Sequence, residues 1–177
     1  MKKNVFILMM IVLLLSVAFV SCTNDNATKK NEIVYNSTSY ELSKGYLENE
    51  FQTATSPATY YFVVVLNSSA VTYSGSTGKF SGTGNGIALG LYTSSSTDRL
   101  PGTYSFATSN ALHTFDLGMI LINFDWNTLK STAIGDQITS GTVKVKKSGT
   151  DYEITLDGMV TDGSNVTVYY KGSIVAL

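Results

Sequence analysis

The sequence predicts an all-β fold, and three observations support this prediction. Ser, Thr, Gly, Tyr and Val dominate the chain, and this composition favours strands and tight turns over helices. In the C-terminal third, apolar and polar residues alternate with the period of a strand that has one buried face. Turn signals containing Gly, Pro, Asn or Asp separate these segments. We therefore expect an antiparallel β-sandwich of about eight to ten strands, with a closed calycin-like barrel as the alternative.

The first strands are predicted in the N-terminal half of the domain. Residues 40–44 and 46–51 indicate a pair of strands separated by one glycine. Residues 60–66 are apolar at every position, which is typical of a central strand covered on both faces. Gly and Ser dominate residues 74–86, so we expect a loop there. The next strand has one strongly apolar face, formed by Ile87, Leu89 and Leu91.

A long strand is predicted over residues 113–126, and its apolar residues change parity. One face carries Phe115 and Leu117, whereas four apolar residues lie on the other face: Ile120, Ile122, Phe124 and Trp126. Because side chains alternate strictly along a regular strand, one buried face cannot hold both sets. A β-bulge near Gly118 would reconcile them, since glycine within a strand often marks such an irregularity.

The C-terminal third predicts a three-stranded antiparallel meander with one wet face. Ser148-Gly149 and Asp162-Gly163 mark its two turns. Its buried face comprises alternate residues of the three strands: Val143 and Val145, then Tyr152, Ile154 and Leu156, then Val166, Val168 and Tyr170. On the wet face, Lys144 and Lys146 are expected to face Glu153, where an exposed ion pair contributes only tenths of a kcal/mol.

The first residues predict a secretory signal peptide, so that a signal-peptide helix precedes the all-β domain. Lys2 and Lys3 form a basic start, and residues 5–20 are apolar except for Ser16. This run is shorter than the roughly 20 apolar residues that a membrane-spanning helix needs. An ordinary cleaved signal and an uncleaved spanning helix are the alternatives.

The end of this segment, Phe19-Val20-Ser21-Cys22, resembles the lipobox of bacterial lipoproteins, with Phe where Leu is usual. The polar residues 23–26 are similar to those that follow the lipobox in Bacteroidetes lipoproteins. The resemblance implies cleavage before Cys22, acylation of that cysteine with fatty acids such as palmitate, and an exported protein anchored in the lipid of the outer membrane. Acylation also explains the single cysteine, because an unpaired thiol is unusual in a secreted protein. The predicted organisation is a signal peptide at 1–21, a flexible tether at 22–31 and a single all-β domain at 32–177.

A second resemblance covers the C-terminal part of the chain. Residues 101–106, 141–145, 152–155 and 170–172 resemble segments of the small all-β domains found in Bacteroidetes envelope lipoproteins. This resemblance implies a β-sandwich or barrel domain of the cell envelope. It carries over no catalytic residue.

The sequence offers little for catalysis, so we predict a protein that is not an enzyme and uses no cofactor. His113 is the only histidine and Cys22 the only cysteine, which leaves too few ligands for a zinc site of the usual kind. No Gly-x-Ser-x-Gly elbow surrounds a serine. The glycine-rich residues 82–86 precede a strand rather than the helix that a phosphate-binding loop requires. With 12 basic against 13 acidic residues, no basic stripe indicates nucleic-acid binding.

Binding through aromatic side chains is the function that the composition favours. The chain has eleven tyrosines and one tryptophan, and aromatic rings exposed on a sheet stack against sugar rings. Trp126 stands between two hydrogen-bonding residues, Asp125 and Asn127, and Tyr169 falls on the wet face of the meander. These four residues are the predicted ligand contacts, with a glycan as the ligand. The alternative is that Trp126 caps the core and the tyrosines place their hydroxyls at its rim.

The sequence therefore indicates an envelope lipoprotein that acts as a non-catalytic glycan-binding module. The alternative is a structural or protein-interaction module of an envelope assembly, which a long exposed strand edge would favour through strand addition. A carrier of an apolar ligand is a more distant reading, because the Gly-x-Trp of lipocalins is missing from the first strand. An enzyme, equally distant, would require a cleft with converging polar groups.

Overall fold

The computed structural model describes residues 29–55, 58–94, 100–133 and 136–177. These residues form thirteen strands. In chain order they are β1 (Glu32–Tyr35), β2 (Thr38–Glu41), β3 (Lys44–Thr55), β4 (Ala58–Asn67), β5 (Thr72–Ser74), β6 (Lys79–Ser81), β7 (Thr83–Thr93), β8 (Gly102–Phe106), β9 (Thr114–Asp125), β10 (Lys130–Ala133), β11 (Ile138–Ser148), β12 (Asp151–Val160) and β13 (Asn165–Ala176).

Eight of the strands close into a barrel in the order β12-β11-β8-β9-β7-β4-β3-β13, and β13 pairs back with β12. The predicted all-β class is confirmed, and its arrangement is the closed barrel that was the alternative to the favoured sandwich. Two of the eight neighbouring pairs are parallel, β8–β9 and β3–β13, and the other six are antiparallel.

The remaining strands lie outside this ring. The β1–β2 hairpin extends the sheet from one edge of β13, and β10 pairs with β9. Strands β5 and β6 form a separate two-stranded sheet.

Large apolar side chains fill the barrel interior. The cluster is contributed by all eight barrel strands and by β1, and it includes Ile33, Phe62, Leu89, Tyr104, Phe115, Ile120, Val143, Ile154, Val168 and Tyr170. The two tyrosines in this interior use their hydroxyls locally: Tyr104 donates to the carbonyl of Leu100 at 2.8 Å and Tyr170 to that of Ser173 at 2.7 Å. An eight-stranded barrel is just wide enough for its own side chains to fill it.

The predicted C-terminal meander is confirmed. Strands β11, β12 and β13 pair in sequence as antiparallel neighbours, and the predicted apolar positions point into the core or pack against it. Lys146 faces Glu153 across the β11–β12 ladder, with 3.5 Å between Nζ and Oε1.

Two predictions from the N-terminal half are wrong. The expected pair of strands at 40–51 is instead the end of β2 followed by the single strand β3, which runs through Gly45 without a turn. The loop expected at 74–86 contains the end of β5, all of β6 and the start of β7. Three of its glycines, Gly82, Gly84 and Gly86, serve close packing: a Cβ on Gly86 would lie 2.3 Å from Oδ1 of Asn67. The central strand expected at 60–66 is β4, which pairs with β3 on one side and β7 on the other.

The change of parity predicted in the long strand is present, but it is displaced. Between β7 and β9 the register shifts by one residue around Asp116, two residues before the expected Gly118. A second shift falls between Leu121 and Phe124, where Asn123 adopts a φ of 49°. Because of the first shift, Phe115, Ile120 and Ile122 all belong to the core.

Candidate functional site

A small aromatic cluster holds the β5–β6 hairpin against the outer wall of the barrel. Phe80 of β6 lies at its centre, with ring centroids 5.0 Å from Tyr46 of β3, 5.1 Å from Tyr73 of β5 and 4.7 Å from Trp126. Lys44 supports the same attachment, because its ammonium donates to the carbonyls of Ser69 and Val71 just before the hairpin. Trp126 therefore packs against the hairpin on the outer wall, and it does not belong to the core that the alternative interpretation expected it to cap.

The turn after β9 is organised by the carboxylate of Asp125. Its Oδ1 accepts hydrogen bonds from the backbone N–H and from the side-chain amide of Asn127, both at 2.9 Å, and its Oδ2 accepts one from the Thr128 hydroxyl at 2.8 Å. These bonds, that from Thr128 first, hold the pKa of the Asp125 carboxyl below its ordinary value. The backbone N–H of Trp126 donates to the carbonyl of Gly82, which ties this turn to the end of the hairpin. Asp125 thus shapes the turn and orients its neighbours.

A depression of about 440 Å³ lies where the hairpin meets this turn. Two of the four predicted ligand contacts, Trp126 and Asn127, line it together with Ser74, Thr77, Lys79, Phe80 and Ser81. Its lining therefore combines two aromatic rings, one ammonium and four side chains that carry a hydroxyl or an amide. Lys79 and Phe80 were missed from the sequence because they lie in the segment predicted as a loop.

The indole of Trp126 is half-buried at the edge of this depression. It packs against Phe80 at an interplanar angle of 44° and makes an edge contact with Phe124 at 5.0 Å. Its Nε1 is buried and has no hydrogen-bond partner among the residues that the structure describes. Buried indole N–H groups usually find a partner.

The fourth predicted contact, Tyr169, lies on the opposite side of the barrel. Three strands separate β13 from β9 in either direction round the ring. Tyr169 lines a wider groove of about 990 Å³ with residues of β1, β2 and the chain before them. The ammonium of Lys29 lies 5.2 Å from the centre of its ring. The four predicted residues therefore do not form one site.

Asn31, the last residue of the predicted tether, is held against the same strand. Its side-chain amide donates to the carbonyl of Lys171 at 3.0 Å and accepts from the backbone N–H of Lys171 at 2.7 Å. This residue thus extends the pairing of β1 with β13 by one position. Cys22 and the predicted signal peptide lie outside the described residues.

A second polar and aromatic cluster, which the sequence reasoning did not identify, surrounds the first register shift of β9. The hydroxyl of Tyr92 donates to Oδ2 of Asp116 at 2.7 Å, and Oδ1 of Asn110 lies 3.0 Å from the same hydroxyl. The ring of Tyr61 lies between those of Tyr92 and Phe51, at 4.8 and 5.3 Å. The parity change in the sequence could have indicated this cluster, because the extra residue of a bulge does not follow the regular alternation of side chains.

Burial and the nearby Asp116 carboxylate raise the pKa of Tyr61 to about 12, and the same two causes raise the pKa of Tyr92. Oδ1 of Asp116 is buried without a hydrogen-bond partner among the described residues. This oxygen is therefore not available to a ligand from solvent.

Within the described ranges, no three His, Cys, Asp or Glu side chains come together as a metal site would require. No helix in these ranges is long and apolar enough to cross a membrane. His113 is the last residue of the turn before β9 and has a φ of 61°, and its ring lies 5.9 Å from that of Tyr104. No known protein family matches the chain, and neither the curated proteins nor the solved structures contain a significant match.

Proposed function

We propose that this protein is an exported lipoprotein, anchored in the outer membrane through acylated Cys22, whose barrel acts as a non-catalytic glycan-binding module. The depression beside Trp126 is the proposed site. The observation that supports it most is the combination of a partly exposed indole with hydroxyl and amide groups on a single surface.

The chemistry of the lining suits a sugar. A pyranose presents an apolar face of C–H groups, which packs against an aromatic ring, and a rim of hydroxyls that both donate and accept. In the depression, Trp126 and Phe80 provide the rings. Ser74, Thr77 and Asn127 provide neutral donors and acceptors at its rim.

The described structure gives less support to the alternatives. Strand addition needs an unpaired edge, and the two strands that end the sheet, β2 and β10, have only four residues each. An apolar ligand inside the barrel would have to displace the side chains of the core, such as Phe62 and Leu89, which are fully buried there.

Trp126 also provides the test, because it is the only tryptophan in the chain. The emission of the detergent-solubilised full-length protein, excited at a wavelength that tyrosine does not absorb, therefore comes from this indole. We expect titration with a panel of envelope and host oligosaccharides to include at least one that changes the emission saturably. Asn127→Ala should weaken that binding, whereas Tyr169→Ala, on the opposite wall, should leave it unchanged. A panel without any saturable change would refute the proposed site.

The proposed anchor has its own test. Growth with labelled palmitate should label the wild-type chain, and replacement of Cys22 by Ser should abolish the label. Equal labelling of both proteins would refute acylation at Cys22.

A further inference from the structure

We propose that the ligand of the Trp126 depression is an acidic glycan, whose carboxylate or sulfate group pairs with the ammonium of Lys79. This inference rests on the proposed function and specifies its substrate class. It comes from the charge of the lining residues and from the hydrogen-bonding capacity that the surrounding turns leave unused.

The depression carries one charge, and that charge is positive. Among the described residues that line it, Lys79 is the only ionised group, and none carries a carboxylate. The acidic residue nearest to Trp126 in the sequence is Asp125, and both of its carboxylate oxygens accept hydrogen bonds within its own turn. The whole chain has a formal net charge of −1, so the positive site runs against the overall balance. An anionic ligand therefore matches this position better than a neutral one.

The hydrogen-bonding groups of the lining also favour an anionic ligand. The amide nitrogen of Asn127 is already committed to Asp125, which leaves the carbonyl oxygen of that side chain to accept from a sugar hydroxyl. Ser74 is paired with Ser76 and Ser81 with Thr72, each at 3.0 Å. The ammonium of Lys79 is thus the strongest free donor of the surface, and hydrogen bonds between charged groups are roughly twice as strong as neutral ones.

The geometry makes Lys79 and the rings parts of one surface. Lys79, Phe80 and Trp126 all line the depression, and the rings of Phe80 and Trp126 pack together with their centroids 4.7 Å apart. A sugar ring packed at the edge of the indole therefore lies beside Lys79, whose side chain is exposed and long enough to reach the substituents of the sugar. Because the hairpin is attached through Phe80, the position of Lys79 depends on the packing of Trp126.

The test compares an acidic and a neutral ligand of the same length, trigalacturonate and galactotriose, with a sulfated galactose oligosaccharide as the third probe. Binding is followed by Trp126 fluorescence of the full-length protein in detergent. We expect Lys79→Gln to weaken binding of an acidic probe by up to about fivefold, because the ammonium is exposed, and to leave the neutral probe unchanged. Lys79→Arg should retain binding, and added salt should weaken acidic binding in the wild type. The carboxylated and sulfated probes distinguish the two possible anions.

Lys171→Gln is the matched control, because it removes one positive charge from the groove on the opposite wall. The proposal is overturned if the neutral probe binds as tightly as the acidic ones, if Lys79→Gln leaves acidic binding unchanged, or if Lys171→Gln weakens it equally. In these three cases glycan binding at Trp126 still stands. If none of the three probes changes the fluorescence, this inference is overturned; if no oligosaccharide of the wider panel changes it either, the proposed function fails as well.

Discussion

The parallel pairing of β3 with β13 closes the barrel, and Gly45 is the residue at which this seam can be tested. A Cβ at Gly45 would lie 3.0 Å from Cγ1 of Ile174, 3.0 Å from the hydroxyl of Tyr170 and 3.2 Å from the carbonyl of Ser173. All three contacts come from β13, the strand that completes the ring. Gly45→Ala should therefore push the two strands apart.

The magnitude follows from the tightness of these contacts. Neighbours at 3.0 Å must each give way by a few tenths of an ångström, and overpacking of this kind typically costs about 1–3 kcal/mol. Tyr170→Phe removes one of the crowding atoms, but it also removes the hydrogen bond to Ser173, a loss of about 0.5–1.5 kcal/mol. In the double variant the alanine meets one obstacle fewer. We expect its loss of stability to be at least about 0.5 kcal/mol smaller than the sum of the two single losses.

Urea unfolding of the full-length protein, followed by Trp126 fluorescence, measures these differences. Gly75→Ala is the matched control, because nothing lies within 4 Å of a Cβ at that position; it should be neutral or slightly stabilising. If Gly45→Ala behaves like Gly75→Ala, or if the double variant is strictly additive, the crowded seam does not exist as described.

Four further predictions concern the barrel wall and its core. Asp116→Asn removes the charge beside Tyr61, so the pKa of that phenol should fall from about 12 towards its ordinary value of 10.0; NMR of ring-labelled tyrosine, with the Tyr61 signal assigned by Tyr61→Phe, measures this pKa, and an unchanged value would assign the whole shift to burial. Because folding raises this pKa, the stabilising contribution of the neutral phenol is complete below pH 10 and is lost as the pH rises through about 12, so the urea midpoint should fall over that window. Phe115→Ala, which empties a fully buried position, should cost about 3–5 kcal/mol, and a loss under about 1 kcal/mol would place this ring outside the core. Glu153→Lys, opposite Lys146, should cost less than about 1 kcal/mol and should lose its effect at about 1 M salt; a cost that persists in salt would require a different cause.

The meander was predictable from sequence, whereas the closure of the barrel was not. Strands β11, β12 and β13 each place apolar residues on one face at every second position, and their neighbours in space are their neighbours in sequence. A sandwich and a barrel both bury one face of each strand, so alternation cannot distinguish them. The deciding contact joins Val175 to Tyr46, residues from opposite ends of the domain that no local pattern relates.

The candidate site was predictable in part. Trp126 and Asn127 were identified because an aromatic residue between polar ones at a strand end is a local pattern. Their partners Lys79 and Phe80 both belong to β6, which has only three residues and is too short to show a period of two against a background of Gly and Ser. Tyr169 was correctly expected on the outer face of its strand, but its distance from Trp126 depends on the strand order of the closed ring.

The two register shifts of β9 explain why this strand serves both the core and the outer wall. After the first shift, Ile120 and Ile122 continue the buried row that begins at Phe115. Near Asn123 the ladder shifts again, and beyond it Trp126 packs on the hairpin outside the barrel. A continuous ladder would have kept the even-numbered residues in one row and carried Trp126 towards the core with them. The second irregularity therefore places the only indole of the chain at the depression. Changes that restore a regular strand at Asn123 should weaken ligand binding more than they reduce the stability of the core.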